Sequence, residues 1–221
     1  DRLRAMDADL IFLQEVLGAH ERHASRYRDW PEEPQYEFLA HAVWPEFAYG
    51  RNAVYDEGHH GNAILSRFPI LRWENVDVSA HPLENRGLLH CEIASPSWSE
   101  PLHCVCVHLG LAARWRRRQL AALEDRIQHM VPEAAPLIIA GDFNDWRGTA
   151  ADALIENLRL MEVFEQTTGR TARSFPAALP LLRLDRIYVR GFTVNEACVH
   201  RGRSWSRLSD HAALSATMTR A

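Results

Sequence analysis

The chain has 221 residues, of which 47% are apolar and 24% charged, and it carries a formal net charge of −4. That length and apolar content suffice for one well-buried domain, so residues 1–221 are expected to form a single domain. No apolar run approaches the roughly 18 residues that a membrane span requires. The negative balance argues against wrapping nucleic acid on a broad basic face.

The chain contains no lysine, so every basic side chain apart from histidine is an arginine. Cys91, Cys104, Cys106 and Cys198 lack paired C-x-x-C spacing and sit in or beside apolar runs. They read as buried free thiols rather than zinc ligands. That usage favours a reducing compartment, and a cytoplasmic location is the expectation.

In chain order, Leu3, Arg4 and Met6 read as the end of a helix, so a segment is expected to precede Asp1. Leu10-Ile11-Phe12-Leu13 reads as a strand ending in Gln14-Glu15. Helices are expected at 19–27, 36–42, 113–130 and 150–158. The third is the clearest: Leu120, Leu123, Ile127 and Met130 recur at helical spacing, and Pro132 stops it. Strands are expected at 47–54, 62–65, 73–78, 87–93, 102–109, 137–140, 187–189, 192–197 and 212–218, from alternation and β-branched or aromatic content. Many strands with a few intervening helices imply two stacked sheets with helices outside. Polar residues at strand ends would then gather at one rim.

The strongest chemical signal is Gly141-Asp142-Phe143-Asn144-Asp145. In an extended segment residues i and i+2 face the same way, so Asp142 and Asn144 would present a carboxylate and a neutral amide together. Asp, Asn and Gly after a strand are equally the residues of an ordinary turn. Glu15 is an oxygen ligand of the kind hard cations prefer. His108 ends another strand, and Ser209-Asp210-His211 sets a carboxylate beside an imidazole that Asp185 could orient. Each alone has a plain structural explanation; their joint occurrence at strand ends carries the functional reading. The arginines at 114 and 116–118 read as a solvated helix face with Trp115 turned inward, or as a phosphate contact. His59-His60 would lie on a loop near Asn62. Trp146 and Trp205 flank two of the motifs and offer either packing or a stacking surface.

Leu13-Gln14-Glu15, Gly61 to Arg67, Val107-His108-Leu109, Gly141 to Asn144, Leu184 to Ile187 and Ser209-Asp210-His211 follow in the order seen in the endonuclease/exonuclease/phosphatase superfamily. The chain resembles that superfamily over almost its whole length. It includes pancreatic-type deoxyribonucleases, abasic-site endonucleases, inositol-polyphosphate phosphatases and neutral sphingomyelinases. The resemblance implies an α/β fold, a four-layered α/β sandwich of two packed, mostly antiparallel sheets flanked by helices. It implies Mg²⁺ or Mn²⁺ as cofactor, with Glu15 and Asp210 as metal ligands. It also implies catalytic roles for His108, Asp142, Asn144, Asp185 and His211. The family's first strand, with its asparagine, falls before the start of this chain and is expected to be lacking.

The implied activity is hydrolysis of a phosphoester, foremost a phosphodiester in the manner of a nuclease. The alternatives are a phosphomonoesterase or lipid-headgroup phosphodiesterase, and a silent binding module of the same fold. The substrate partner would be a nucleic acid, nucleotide or phospholipid headgroup, with no stable protein partner implied. The intact set of motif residues argues against the silent module.

Overall fold

The computed structural model describes residues 2–20, 33–82, 84–148 and 151–221, and only the backbone of 19 and 20. The chain divides into two compact units, Asp1–His108 and Leu109–Ala221.

The first unit opens with the short helix α1 (Arg2–Ala5) and then runs β1 (Leu10–His20), α2 (Gln35–Ala42), β2 (Glu46–Tyr55), β3 (Gly58–Ser66), β4 (Ile70–Asp77), β5 (Gly87–Ile93) and β6 (Leu102–His108). Strands β1, β3 and β2 form one antiparallel sheet in that order, and β4, β5 and β6 lie side by side in another. The two sheets pack face to face, β2 and β3 against β5. Burial of 61–66 and of all of β6 on both faces is what near-continuous apolar runs, rather than strict alternation, produce.

Asn62 is fully buried and ties the sheets together, its Nδ2 donating to the carbonyls of Gly87 (3.0 Å) and Cys106 (3.3 Å). Its neighbour must be glycine: a Cβ on Gly61 would sit 1.8 Å from the carbonyl oxygen of Gly50. Arg67, at the end of the same motif, bridges Asp7 (2.5 Å) and Asp9 (2.8 Å) and lies over the Trp44 ring. The motif 61–67 is thus structural glue for the entry to β1.

Three expectations for this unit change. The first strand does not end at Glu15. It continues to His20, with a break in register against β3 between Leu13 and Val16, so Glu15 occupies a bulge. A bulge leaves a residue outside the ladder and re-aims its side chain, which a strand-end reading does not capture. The helix expected at 19–27 begins inside that strand, and its remainder lies outside the described residues. His59 and His60 belong to β3 rather than to a loop, because pairing with β2 extends back to Gly58.

The second unit runs α3 (Ala113–Met130), β7 (Leu137–Asp142), α4 (Asp152–Leu158), β8 (Met161–Glu162), α5 (Val163–Thr168), β9 (Asp185–Arg190), β10 (Phe192–Val199) and β11 (Leu214–Arg220). Strands β7, β9 and β8 pair antiparallel in that order, and β10 pairs with β11 as a ribbon. Helix α3 buries Leu120, Leu123 and Ile127 along one stripe, and packs on α4. The 161–168 strand and helix were not anticipated: β8 has two residues and α5 six, too short to show a period.

The α3 stripe extends back through Gln119 to Arg116, one turn before Leu120, and both are buried. The arginine run is therefore not a uniformly solvated face, and the inward residue is Arg116 rather than Trp115. Arg116 donates to the carbonyls of Gly110 (3.3 Å) and Leu111 (2.5 Å), and its guanidinium stands 3.9 Å from the buried Asp145. A buried cation needs such partners, since desolvation costs several kcal/mol per ion. Of the cysteines, Cys91, Cys104 and Cys106 are buried as expected, but Cys198 on the β10–β11 ribbon is exposed. Among the described residues no helix is long and apolar enough to cross a membrane.

Candidate active site

In the first unit the β1 bulge sets Glu15 in left-handed backbone (φ 55°), with its side chain 67% exposed. The flanking residues are anchored. Gln14 Nε2 donates to Cys106 Sγ (3.2 Å), and the Leu17 amide donates to Gln35 Oε1 (3.0 Å). His108 Nδ1 lies 4.0 Å from the Glu15 carboxylate. His60, across the ladder beside Leu17, also feels Glu15. Burial, opposed by Glu15 and reinforced by Arg86, lowers the His60 pKa below the ordinary value. His59 instead meets the Tyr49 hydroxyl through Nδ1 at 3.0 Å.

In the second unit the register does the positioning. Asp142, the last residue of β7, pairs directly with Asp185, the first of β9. Asp142 and Asn144 do come together, but not by extension. Asn144 is left-handed (φ 49°), and its amide donates to Asp142 Oδ1 at 2.8 Å, an Asx-type turn. The turn that the sequence equally allowed is therefore what brings the two side chains together. Asn144 Nδ2 donates to the Leu109 carbonyl (2.8 Å), which fixes the buried amide and leaves it a second N–H.

His211 arrives from the loop before β11. Ala212 N donates to the Ser174 carbonyl (2.7 Å) and Ala177 N to the Asp210 carbonyl (2.6 Å). The Phe175 ring lies 4.9 Å from the imidazole. Ser174 Oγ also accepts from the Asp185 amide (3.3 Å), so one segment, 174–177, locks both partners. Sequence reasoning missed Ser174 and Phe175, which carry no motif signal. It missed Asp145 as well, although Arg116 was within reach of the helical period.

His211 Nδ1 donates to Asp185 Oδ2 at 2.8 Å. Burial works against the charged ring, but the Asp185 hydrogen bond, followed by the charges of Asp185, Asp142 and Asp210, outweighs it and raises the pKa to about 9. The ring is thus an imidazolium at neutral pH, with Nε2–H directed away from Asp185. Asp210 itself is exposed.

Because the folded pKa lies above the ordinary 6.5, this pairing stabilises the protein fully below about pH 6.5. Its contribution fades as pH rises towards about 9. Asp185→Asn should therefore cost on the order of 2 kcal/mol at pH 6 and little above pH 9. Urea unfolding across that range, with NMR titration of the imidazole, checks it; a pH-independent cost would refute the coupling.

A family model described as "Endonuclease/Exonuclease/phosphatase family" matches residues 1–211. The chain belongs to that family. Family members are hydrolases of phosphoesters, and the expected α/β fold, two main sheets flanked by helices, is theirs. The chain is 50% identical over 216 residues to "Uncharacterized protein YbhP" of Escherichia coli (strain K12), covering 98% of this chain and 85% of that one. An endonuclease/exonuclease/phosphatase structure from Beutenbergia cavernae matches with a TM-score of 0.75 at 18% identity, over 99% of this chain and 64% of that chain. The Bacteroides thetaiotaomicron mannosyl-6-phosphatase Bt3783 matches with a TM-score of 0.73 at 18% identity, over 99% and 88%. Danio rerio TDP2 complexed with single-strand DNA product matches with a TM-score of 0.68 at 21% identity, over 99% and 88%. At these identities the solved structures show the fold of the family, and substrates do not transfer with it.

Proposed function

We propose that this family member hydrolyses a phosphodiester with the help of a divalent cation. The observation that carries the reading is His211, held as an imidazolium by Asp185 amid the carboxylates of Asp142 and Asp210. One negative charge on a diester is tolerated among those carboxylates better than the two of a monoester.

The donor chemistry fits a hard cation. Glu15 is an exposed carboxylate, and among the described residues no group of three His, Cys, Asp or Glu side chains is arranged to hold a metal ion. Mg²⁺ keeps most of its waters and is bound through one or two carboxylates, so such a site needs no cage. When bound, the cation would neutralise charge developing on the phosphoryl oxygens.

The remaining roles belong to the chain. Asp142 accepts the proton of the attacking water while its Oδ1 keeps the Asn144 turn. The new bond forms from water oxygen to phosphorus as the bond to the leaving oxygen breaks. His211 Nε2–H protonates that leaving oxygen, and Asp185 holds the tautomer and the charge. The second N–H of Asn144 donates to a phosphoryl oxygen without adding negative charge. His108 supports Glu15.

The second reading is a phosphomonoester, the class named for the Bacteroides neighbour. With Mg²⁺ or Mn²⁺ present, bis(p-nitrophenyl) phosphate should be turned over at least roughly tenfold more efficiently than p-nitrophenyl phosphate. The opposite preference would overturn the diester assignment.

A further inference from the structure

Two segments of the second unit meet around His211: 169–184, through Ser174, Phe175 and Ala177, and 200–209, which leads into Asp210. Both depart from the rest of the chain in charge. They hold six arginines, Arg170, Arg173 and Arg183 in the first and Arg201, Arg203 and Arg207 in the second, and no acidic residue, within a protein of net charge −4. Both also present large apolar side chains to water: Leu179 (65% exposed), Leu181 (56%), Leu182 (41%) and Leu208 (60%). Isolated exposed leucines need no explanation, but four on two loops joined through the Ala177 amide and the Asp210 carbonyl are the kind of apolar exposure that marks an interaction site.

The loops are built to hold these leucines out rather than fold them in. The Leu181 and Leu182 amides both donate to the Phe175 carbonyl (2.8 Å each), and Leu179 N donates to the Pro176 carbonyl (3.0 Å). The second loop is braced by Trp205, which packs on His200 with ring centroids 4.8 Å apart, and by Leu208 N donating to the Trp205 carbonyl (2.9 Å).

We propose that these two loops form a docking surface for an anionic phospholipid bilayer, beside the Asp185–His211 pair. Charge and apolarity together select this partner. Arginines alone would suit a nucleic-acid backbone, but phosphates gain nothing from four exposed leucines. A lipid surface takes both: leucines enter the acyl boundary, and each arginine near an anionic leaflet strengthens binding about fivefold at low salt. The inference goes beyond the hydrolytic reading and stands or falls without it.

Co-flotation of the whole chain with vesicles tests it. Binding should be strong to phosphatidylcholine vesicles containing phosphatidylglycerol, weak to phosphatidylcholine alone, and reduced by added salt. Leu179→Ser, Leu181→Ser and Leu208→Ser combined should weaken binding at least about tenfold. Circular dichroism and turnover of a soluble diester should stay at the parent level. Should that variant fail to fold, Arg203→Gln with Arg207→Gln should remove the preference for the anionic lipid. Absence of binding to the anionic vesicles would overturn the proposal. So would undiminished binding by the folded leucine variant, or a single-stranded oligonucleotide that binds more tightly than the vesicles and is unaffected by loss of the leucines. A parent chain that binds the anionic vesicles but turns over no phosphoester would count against the hydrolytic roles alone.

Discussion

Replacing His211 by alanine should lower kcat on the preferred diester by about 10²–10⁴-fold while leaving the fold intact. The imidazole is the one group in the second unit's cluster that combines a fixed orientation, through its 2.8 Å bond to Asp185, with a proton to give at neutral pH. Without it the leaving oxygen departs as an alkoxide, and nothing else among the groups joined there replaces the donor. Asp142→Asn should produce a loss of the same order by a different route. The amide oxygen still accepts from the Asn144 N–H, so the turn survives, but the base is gone. The double variant should be scarcely slower than either single one, because both groups serve one displacement. Steady-state kinetics with melting curves as the folding control decide this. A variant that melts normally and turns over like its parent removes that residue from the mechanism.

Chelation should abolish turnover, and Mg²⁺ or Mn²⁺ should restore it. Glu15→Gln should then raise the metal concentration needed for half-maximal rate by a factor of roughly ten or more, before it lowers the rate at saturating metal. The reasoning rests on charge. A carboxylate offers a hard cation a full negative oxygen ligand, whereas an amide of the same shape offers only a dipole. Asp185→Asn provides the contrast, because its carboxylate is committed to His211; it should shift the pH–rate profile and leave the metal requirement unchanged. Metal titrations of both variants separate the roles. Turnover that persists in excess EDTA would end the metal assignment, and a metal requirement displaced by Asp185→Asn would exchange the two residues.

Much of the scaffold was legible in the sequence because period and burial coincide there. Helix α3 runs over the residues its apolar recurrence indicated, and β5 likewise. The second unit's cluster was legible as a set of motifs, but its geometry was not. Asp142 and Asn144 are brought together by a left-handed turn, which a sequence read as extended strand does not disclose. Glu15 was placed at a strand end because Gln14-Glu15 interrupts an apolar run. A bulge interrupts the same run without ending the strand, and only pairing with β3 distinguishes the two. Arg116 was obscured by its neighbours: four arginines in five positions look solvated until the helical phase is carried one turn back from Leu120. The 174–177 segment, which holds His211 against Asp185, acts through backbone groups and one hydroxyl, and such contacts leave no periodic trace.

Among the described residues four non-glycine positions adopt left-handed backbone: Asp7, Glu15, Asn144 and Arg159. Two of these are the carboxylate assigned to the cation and the amide assigned to the phosphoryl oxygen. For most L-residues that conformation costs about 1 kcal/mol or more, less for asparagine, and glycine would relieve it. A chain selected only to fold would carry glycine at 15, where the side chain is exposed, whereas glycine at 144 would give up the bond to the Leu109 carbonyl. At 15 the result would be the more stable protein, with no carboxylate in the first unit's bulge. On the role proposed above, the left-handed backbone at Glu15 is a place where durability is given up for reactivity.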